Sequence, residues 1–303
     1  MNQYKDANTN DFLSIVFENK YKIAIFTFLV TLITAVILIY IPNTYKSSAV
    51  LSGADISGNN SPNILSNYSD LASVAGISIS SPEKEERVAM GIEIIKSLEF
   101  FENISQTNNI FFKIMAISDW NKETRKLIIN NKIYSEKEKK WIYDKEFSVN
   151  GKPSMQTAHR EFLDNLSIST DRKTGFIKIS YVHFSPDVAK EIVSTIVEEV
   201  NEDLRLEDIY QAEESIKILT NEYENTQLNQ IRSGLSYLIQ QNIEKKTIAV
   251  TTPEYLFKIL SDPISSERKN GPQKLIILII SFLSSLTLFI SIFLFRKIFQ
   301  VQR

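Results

Sequence analysis

Few side chains in this sequence can do chemistry, and their spacing assembles no reaction centre. There are two histidines, His159 and His183, and no cysteine. Without cysteine there is no thiolate nucleophile, thiolate metal site or disulfide framework. Its absence fits an oxidising compartment, where a stray thiol is a liability. His159 lies among the apolar Ala158, Phe162, Leu163 and Leu166 and reads as a surface or internally satisfied histidine. His183 closes an alternating run, and no second His, Asp and Glu cluster gives it metal-ligand spacing. The carboxylate pairs Glu198-Glu199 and Glu213-Glu214 fall in a long helical stretch, where a solvated face accounts for them. The sequence holds neither a Walker-type Gly-Lys loop nor a Gly-x-Ser-x-Gly elbow. The expectation is therefore a protein that is not an enzyme and has no cofactor and no metal. A net charge of -2 gives no basic excess for nucleic acid.

The elements that would position these residues hang between two apolar runs. Leu275–Phe295 and Ile23–Ile41 carry no charge, and each is close to the ~20 residues that a helix needs to cross a bilayer core. Tyr21 and Tyr40 sit at the ends of the first run, as interfacial aromatics do. Lys20 and Lys22 before the first span, and Arg296, Lys297 and Arg303 after the second, place both termini in the cytoplasm. The expected organisation is a cytoplasmic segment 1–22, spans 23–41 and 275–295, an extracytoplasmic domain 42–274 and a tail 296–303. The fold class is α+β, with a lipid bilayer as one partner.

Within the domain, Pro42 ends the first span and Tyr45–Leu51 alternates as a strand. Residues 11–17 could form a short surface helix. Ile64–Ile77 has small residues, Ala72, Ser73, Ala75 and Gly76, that permit close packing. Glu83–Phe101 reads as one amphipathic helix, with Val88, Ile92, Ile95 and Leu98 on a stripe. Ser135–Lys140 reads as a solvated helical face, and Pro153–Leu166 as another helix. Leu166–Thr170 and Phe176–Phe184 flank a Gly-containing turn, which predicts a hairpin. Ser185-Pro186-Asp187 is a helix start. Helical periodicity then runs to about Lys246, through Val193, Val197, Val200, Leu204, Ile209, Ala212, Ile216, Leu219, Tyr223, Ile231, Leu235 and Leu238. Ser233-Gly234 is the expected kink. A straight helix of that length would span ~90 Å. Its stripe needs a partner, either an intramolecular hairpin or other subunits, and a mixture with the distal half in an oligomer is expected. A short strand at Glu254–Leu260 would return the chain to the sheet. Trp120 and Trp141 are expected in the core, with polysaccharide contact as the other reading.

In this order of parts the chain resembles the Wzz-type polysaccharide chain-length determinants, or polysaccharide co-polymerases, of bacterial inner membranes. The resemblance rests on Pro42-x-x-Tyr45, on Leu71-Ala72-Ser73-Val74-Ala75-Gly76-Ile77, and on the hairpin leading to Ser185-Pro186-Asp187-Val188-Ala189 with Asn201 beyond. Pro263, Pro272 and Lys274 mark the approach to the second span, which is poorer in proline than in many members. With no Walker-type Gly-Lys loop in the sequence, the fused kinase domain of some members is not expected. The resemblance implies a two-pass inner-membrane protein with a periplasmic domain. It further implies a ring-shaped homo-oligomer that sets the modal length of a surface polysaccharide, commonly O-antigen of lipopolysaccharide. The implied partners are a Wzy-type polymerase and its undecaprenyl-linked polysaccharide, with no catalytic residue supplied by this chain. Ile216, Leu219, Tyr223, Ile231 and Leu235 are the oligomer candidates. Ser281, Ser284, Ser285 and Ser291 offer close helix contacts in lipid. An adaptor for a separate tyrosine kinase in capsule or exopolysaccharide export needs a docking tail, and Arg296–Arg303 is short and lacks Tyr. A transmembrane sensor needs an internal output domain, for which neither terminus has room.

Overall fold

The computed structural model describes residues 19–54, 82–144 and 148–301. The small-residue motif Leu71, Ala72, Ala75 and Gly76 and the expected surface helix at 11–17 lie outside the described residues. The chain divides into two units, Met1–Asn43 with Asn270–Arg303, and Thr44–Lys269.

Helix α1, Lys20–Tyr40, is long and apolar enough to cross a membrane. Its hydroxyls are satisfied inside the helix: Thr27, Thr31 and Thr34 donate to the carbonyls of Ile23, Thr27 and Val30 at 2.8–2.9 Å. Pro42 ends it by holding Ile41 in an extended conformation, φ -80° and ψ 119°.

In the second unit, β1 (Tyr45–Gly53) buries every other residue, as its alternation predicts. The expected helix Glu83–Phe101 is two helices, α2 (Pro82–Lys96) and α3 (Leu98–Gln106). Ser97 breaks it, because its Oγ accepts from the Phe100 amide at 3.1 Å and so caps α3. The break turns Phe100, Phe101 and Ile104 into the core. Gly91 sits in mid-helix where a Cβ would come within 2.2 Å of a Leu256 methyl, so a larger residue there would force that buried side chain to shift.

A 3-10 turn (Thr107–Asn109) leads to α4 (Ile110–Ala116) and then to three small antiparallel pairs. These are β2 (Ile117–Trp120) with β3 (Leu127–Ile129), β4 (Tyr134–Ser135) with β5 (Lys140–Trp141), and β6 (Ser148–Val149) with β7 (Lys152–Pro153). Ser135–Lys140 is thus a hairpin tip and not a helical face. Tyr134 packs edge-on against Trp141 across the strands at 5.3 Å, and Lys139 takes a positive φ of 49°. The Ser154 side chain caps α5 (Met155–Asn165), which therefore starts two residues later than expected.

Strands β8 (Leu166–Thr170) and β9 (Ile177–His183) form the expected hairpin. Its turn closes on Asp171, whose Oδ1 accepts from Lys173 N at 2.8 Å, and on Gly175 at φ +70°. Ser185 caps α6 (Pro186–Asn225), with Pro186 in its first turn. Helix α7 (Asn229–Thr251) follows, and β10 (Phe257–Ser261) returns the chain to the sheet. The sheet is antiparallel, in the order β10-β1-β9-β8. Ala49, Leu51, Ile177, Ile179 and Tyr181 of the sheet share one core with Ile192, Val193, Ile196, Val197 and Val200 of α6.

The long helix expected over 186–246 is therefore two helices. Ser233-Gly234 does not break it: Ser233 Oγ donates to the Asn229 carbonyl at 3.0 Å within α7. The break lies at Thr226–Leu228, where Thr226 turns extended at φ -90° and ψ 141°. The reason is tertiary, since α7 folds back antiparallel on α6. Arg232 lies over the Tyr223 ring at 4.9 Å, while Lys246 pairs with Glu213 at 2.8 Å.

Helix α8, Lys274–Val301, is the second helix apolar enough to span a membrane. It pairs with α1 inside the first unit. Thr34 and Ser281 share a hydrogen bond at 2.9 Å, and Phe26 meets Phe289 at 4.6 Å between ring centroids. Lys274 Nζ donates to the Ile41 carbonyl at 2.9 Å, which satisfies a carbonyl at the end of α1.

Candidate functional site

The feature best placed to act on a partner is the α6–α7 hairpin. Its inner face follows from spacing. Ala212, Ile216, Leu219 and Tyr223 step by four, three and four residues, as do Leu235, Ile239, Asn242 and Lys246 on α7, a coiled-coil seam in miniature. Ala212 and Ala249 are buried, and Ile216, Leu219, Tyr223 and Leu235 are half-buried. Four of the five oligomer candidates thus lie on the face the two helices share, and the fifth, Ile231, is 48% exposed. Sequence periodicity found the stripe but could not say which partner covers it. Outside the seam, Tyr210, Ile218, Tyr237 and Leu238 leave large apolar surface in solvent.

The foot of the hairpin is held by two polar devices. Asn201, on the buried face of α6, accepts from the Leu256 and Phe257 amides at 2.7 and 2.8 Å through Oδ1. Its Nδ2 donates to the Val197 and Phe257 carbonyls at 2.9 and 3.2 Å. One side chain so docks the start of β10 on α6. Two turns on, Asp208 gathers three donors. Arg87 and Tyr255 donate to Oδ2 at 2.9 and 2.7 Å, and Lys245 reaches Oδ1 at 2.7 Å. Burial alone would raise the Asp208 pKa, but the hydrogen bonds from Lys245, Tyr255 and Arg87, with the Arg87 charge, hold it below the ordinary carboxylate value.

Sequence reading missed this cluster. The signal was present, because Leu204, Asp208 and Ala212 fall at four-residue steps, and an acid on an apolar stripe implies a buried cation. We expect Asp208→Asn to cost about 1–2 kcal/mol at neutral pH, because a charge-assisted contact to each cation is lost. Urea denaturation at pH 7 reads this; at pH values below the depressed Asp208 pKa the two proteins should converge, and a constant gap would refute the charge argument.

The other predicted residues separate by location. Tyr45 is buried at the start of β1, edge-on to Trp120 at 5.3 Å. Trp141 lies half-buried against the core in an aromatic cluster with Phe111, Phe112 and Tyr134, whereas Trp120 is half-buried outside that core. Pro186 is buried in the first turn of α6, and Pro263 is buried in the connector beyond β10. Pro42 and Pro272 belong to the other unit, one closing α1 and the other two residues before α8. His159 Nε2 bonds the Lys96 carbonyl at 2.9 Å, a satisfied histidine. His183 is buried and bonded to backbone on both ring nitrogens. Ser284, Ser285 and Ser291 donate to carbonyls within α8. Among the described residues no group of His, Asp or Glu is arranged to hold a metal ion.

Residues 10–107 match the family described as Wzz, chain length determinant protein. That stretch runs from before α1 through β1, α2 and α3, and it includes Pro42-x-x-Tyr45 and residues 71–77. The similarity to the chain-length determinant family thus covers about a third of the chain, at its N-terminal side. Two solved structures are similar. A full-length bacterial polysaccharide co-polymerase is 13% identical, with 95% of this chain and 97% of that chain covered at a TM-score of 0.40. A fragment of WzzB, the co-polymerase from Salmonella Typhimurium, is 13% identical, with 76% of this chain and 100% of that one covered at a TM-score of 0.31. No curated protein matches the sequence.

Proposed function

We propose that this protein is a non-catalytic regulator of the modal chain length of a surface polysaccharide. It acts on a Wzy-type polymerase that extends undecaprenyl-linked chains, and it works as a homo-oligomer. O-antigen of lipopolysaccharide is the favoured product. The observation that carries this reading is the chain-length determinant match over residues 10–107. Two helices able to cross a membrane support a two-pass inner-membrane location, with Thr44–Lys269 in the periplasm. The lysines and arginines flanking the spans favour cytoplasmic termini.

The hairpin supports assembly. Its seam is filled from within the chain, so the surface left for neighbours is the outer one that bears Tyr210, Ile218, Ile231 and Tyr237. Exposed apolar side chains grouped on one element mark a protein contact. The α6 helix alone is 40 residues long, or ~60 Å, a rod whose neighbours could set how long the polymerase stays engaged.

A gel of surface polysaccharide from cells with and without this chain tests the reading. A clustered ladder that becomes a smooth decay on deletion supports it. Loss of all long polymer would instead favour a role in export, and an unchanged ladder would remove the regulator reading. The assembly surface has its own test. Ile231→Glu should dissociate the detergent-solubilised oligomer by native mass measurement and flatten the ladder, with unfolding midpoint unchanged. Leu219→Ala, in the seam, should instead lower stability by about 1–2 kcal/mol and leave the subunit count intact. The reverse pattern would show that the seam faces other subunits.

A further inference from the structure

An open cleft of about 540 Å³ lies in the Thr44–Lys269 unit, bordered by Phe111, Val149, Asn150, Lys152, Pro153 and Met155. It belongs to neither the hairpin nor its foot. One wall is the tight hairpin β6–β7, whose turn is Asn150-Gly151 with φ of 52° and 76°. Two successive positive φ values make the turn that matches strand twist, so this wall is rigid. The turn is also tied from outside, since Tyr143 N donates to the Gly151 carbonyl at 2.8 Å. Val149 and Lys152 are cross-strand partners and so share a face.

Lys152 has no carboxylate partner among the described residues. Its ammonium is seated 4.3 Å from the centroid of the Phe111 ring. That ring is held in turn by Trp141, edge-on at 5.5 Å. A cation on an aromatic face is attracted and positioned without being neutralised. Among the described residues the cleft therefore offers one positive charge, seated on a ring and without an acidic partner, above an apolar floor. Beside it stands the Asn150 amide, which has two donors and an acceptor.

We propose that this cleft is a subsite for a carboxylated sugar residue of the polysaccharide, a uronic acid or a related acidic sugar. The inference rests on the regulator reading above. Lys152 pairs with the carboxylate, the Val149, Pro153 and Met155 surfaces take the C–H face of the ring, and Asn150 serves ring hydroxyls. A neutral sugar lacks the first contact and a small inorganic anion lacks the other two. A single exposed ion pair is weak, so one subsite binds in the millimolar range. A polymer that presents the same residue in every repeat gains by engaging several copies at once.

The test uses the full-length protein in detergent and saturation-transfer NMR, which reads weak binding. The probes are methyl glucuronoside, methyl glucoside and inorganic phosphate. Transfer to the glucuronoside should exceed that to the glucoside by at least threefold. Lys152→Gln should abolish the difference, and Lys152→Arg should retain most of it. Equal transfer to both sugars, indifference to Lys152→Gln, or displacement of the glucuronoside by equimolar phosphate would each overturn the subsite. The ladder separates this from the parent reading. If deletion of the chain removes modality while the glucuronoside does not bind, the subsite fails and the regulator stands; if deletion changes nothing, the regulator reading fails by itself.

Discussion

Replacing Asn201 by alanine is expected to destabilise the Thr44–Lys269 unit by about 3–4 kcal/mol. The side chain is 5% exposed, and the two amides it accepts from belong to Leu256 and Phe257, both buried. An unsatisfied buried donor costs about 1–3 kcal/mol, and alanine leaves two. The Phe257 carbonyl loses a donor as well. Asn201→Asp keeps the acceptor but buries a charge and removes the donor to Phe257, so it should not rescue. Trp120 and Trp141 both lie in this unit, so tryptophan fluorescence in urea reports its unfolding midpoint. Hydrogen exchange supplies the local readout, with faster exchange at the Leu256 and Phe257 amides. A loss below about 1 kcal/mol, or exchange that rises elsewhere instead, would show that Asn201 is not the tie between α6 and β10.

The same residue shows what could be read in advance and what could not. Asn201 attracted notice only through the resemblance, by its place after Ser185-Pro186-Asp187. Its work depends on Leu256 and Phe257, 55 and 56 residues away in sequence, a separation to which local pattern is blind. Elements whose cause is local were legible. β1 alternates, the β8–β9 turn carries Asp171 and Gly175, and α6 begins at a serine cap followed by proline. Where a side chain competes with helical periodicity, pattern alone failed. Ser97 and Ser154 moved helix boundaries by capping, and the Tyr134–Trp141 pair made a hairpin of a charged stretch that reads as helix. The long helix failed for the opposite reason. Nothing local in Thr226-Gln227-Leu228 demands a stop, and the helix turns there because the 212–223 stripe finds its cover in α7. Periodicity reports that a face needs burial; which surface buries it is a property of the whole chain.

Acid should weaken this unit through His183. The ring bridges two backbone groups: Nε2 lies 3.0 Å from the Lys113 carbonyl, and Nδ1 accepts from the Ser185 amide at 3.0 Å. A carbonyl can only accept, so Nε2 carries the proton and the neutral tautomer is fixed. Burial, helped by the Lys113 charge, outweighs the two backbone hydrogen bonds and lowers the His183 pKa from 6.5 to about 4. A second proton would have to sit on Nδ1, against the Ser185 N–H that points at it. Because the unfolded chain binds that proton near pH 6.5 and the folded one does not until about 4, the unfolded state holds more protons between those values. Stability therefore falls as pH drops through that window, by about 3 kcal/mol in all, and is flat with respect to this group above it. His183→Gln can keep one donor and one acceptor without titrating, so its stability should vary much less between pH 6.5 and 4. Equal slopes for the two proteins over that range would mean that the histidine is already free to take its second proton in the folded state. The link to the hairpin is direct, since Ser185, which His183 accepts from, also caps α6. Protonation thus loosens the helix start from which the whole hairpin is carried, and the Val188 amide, which donates to Ser185 Oγ, is where the first increase in exchange should appear.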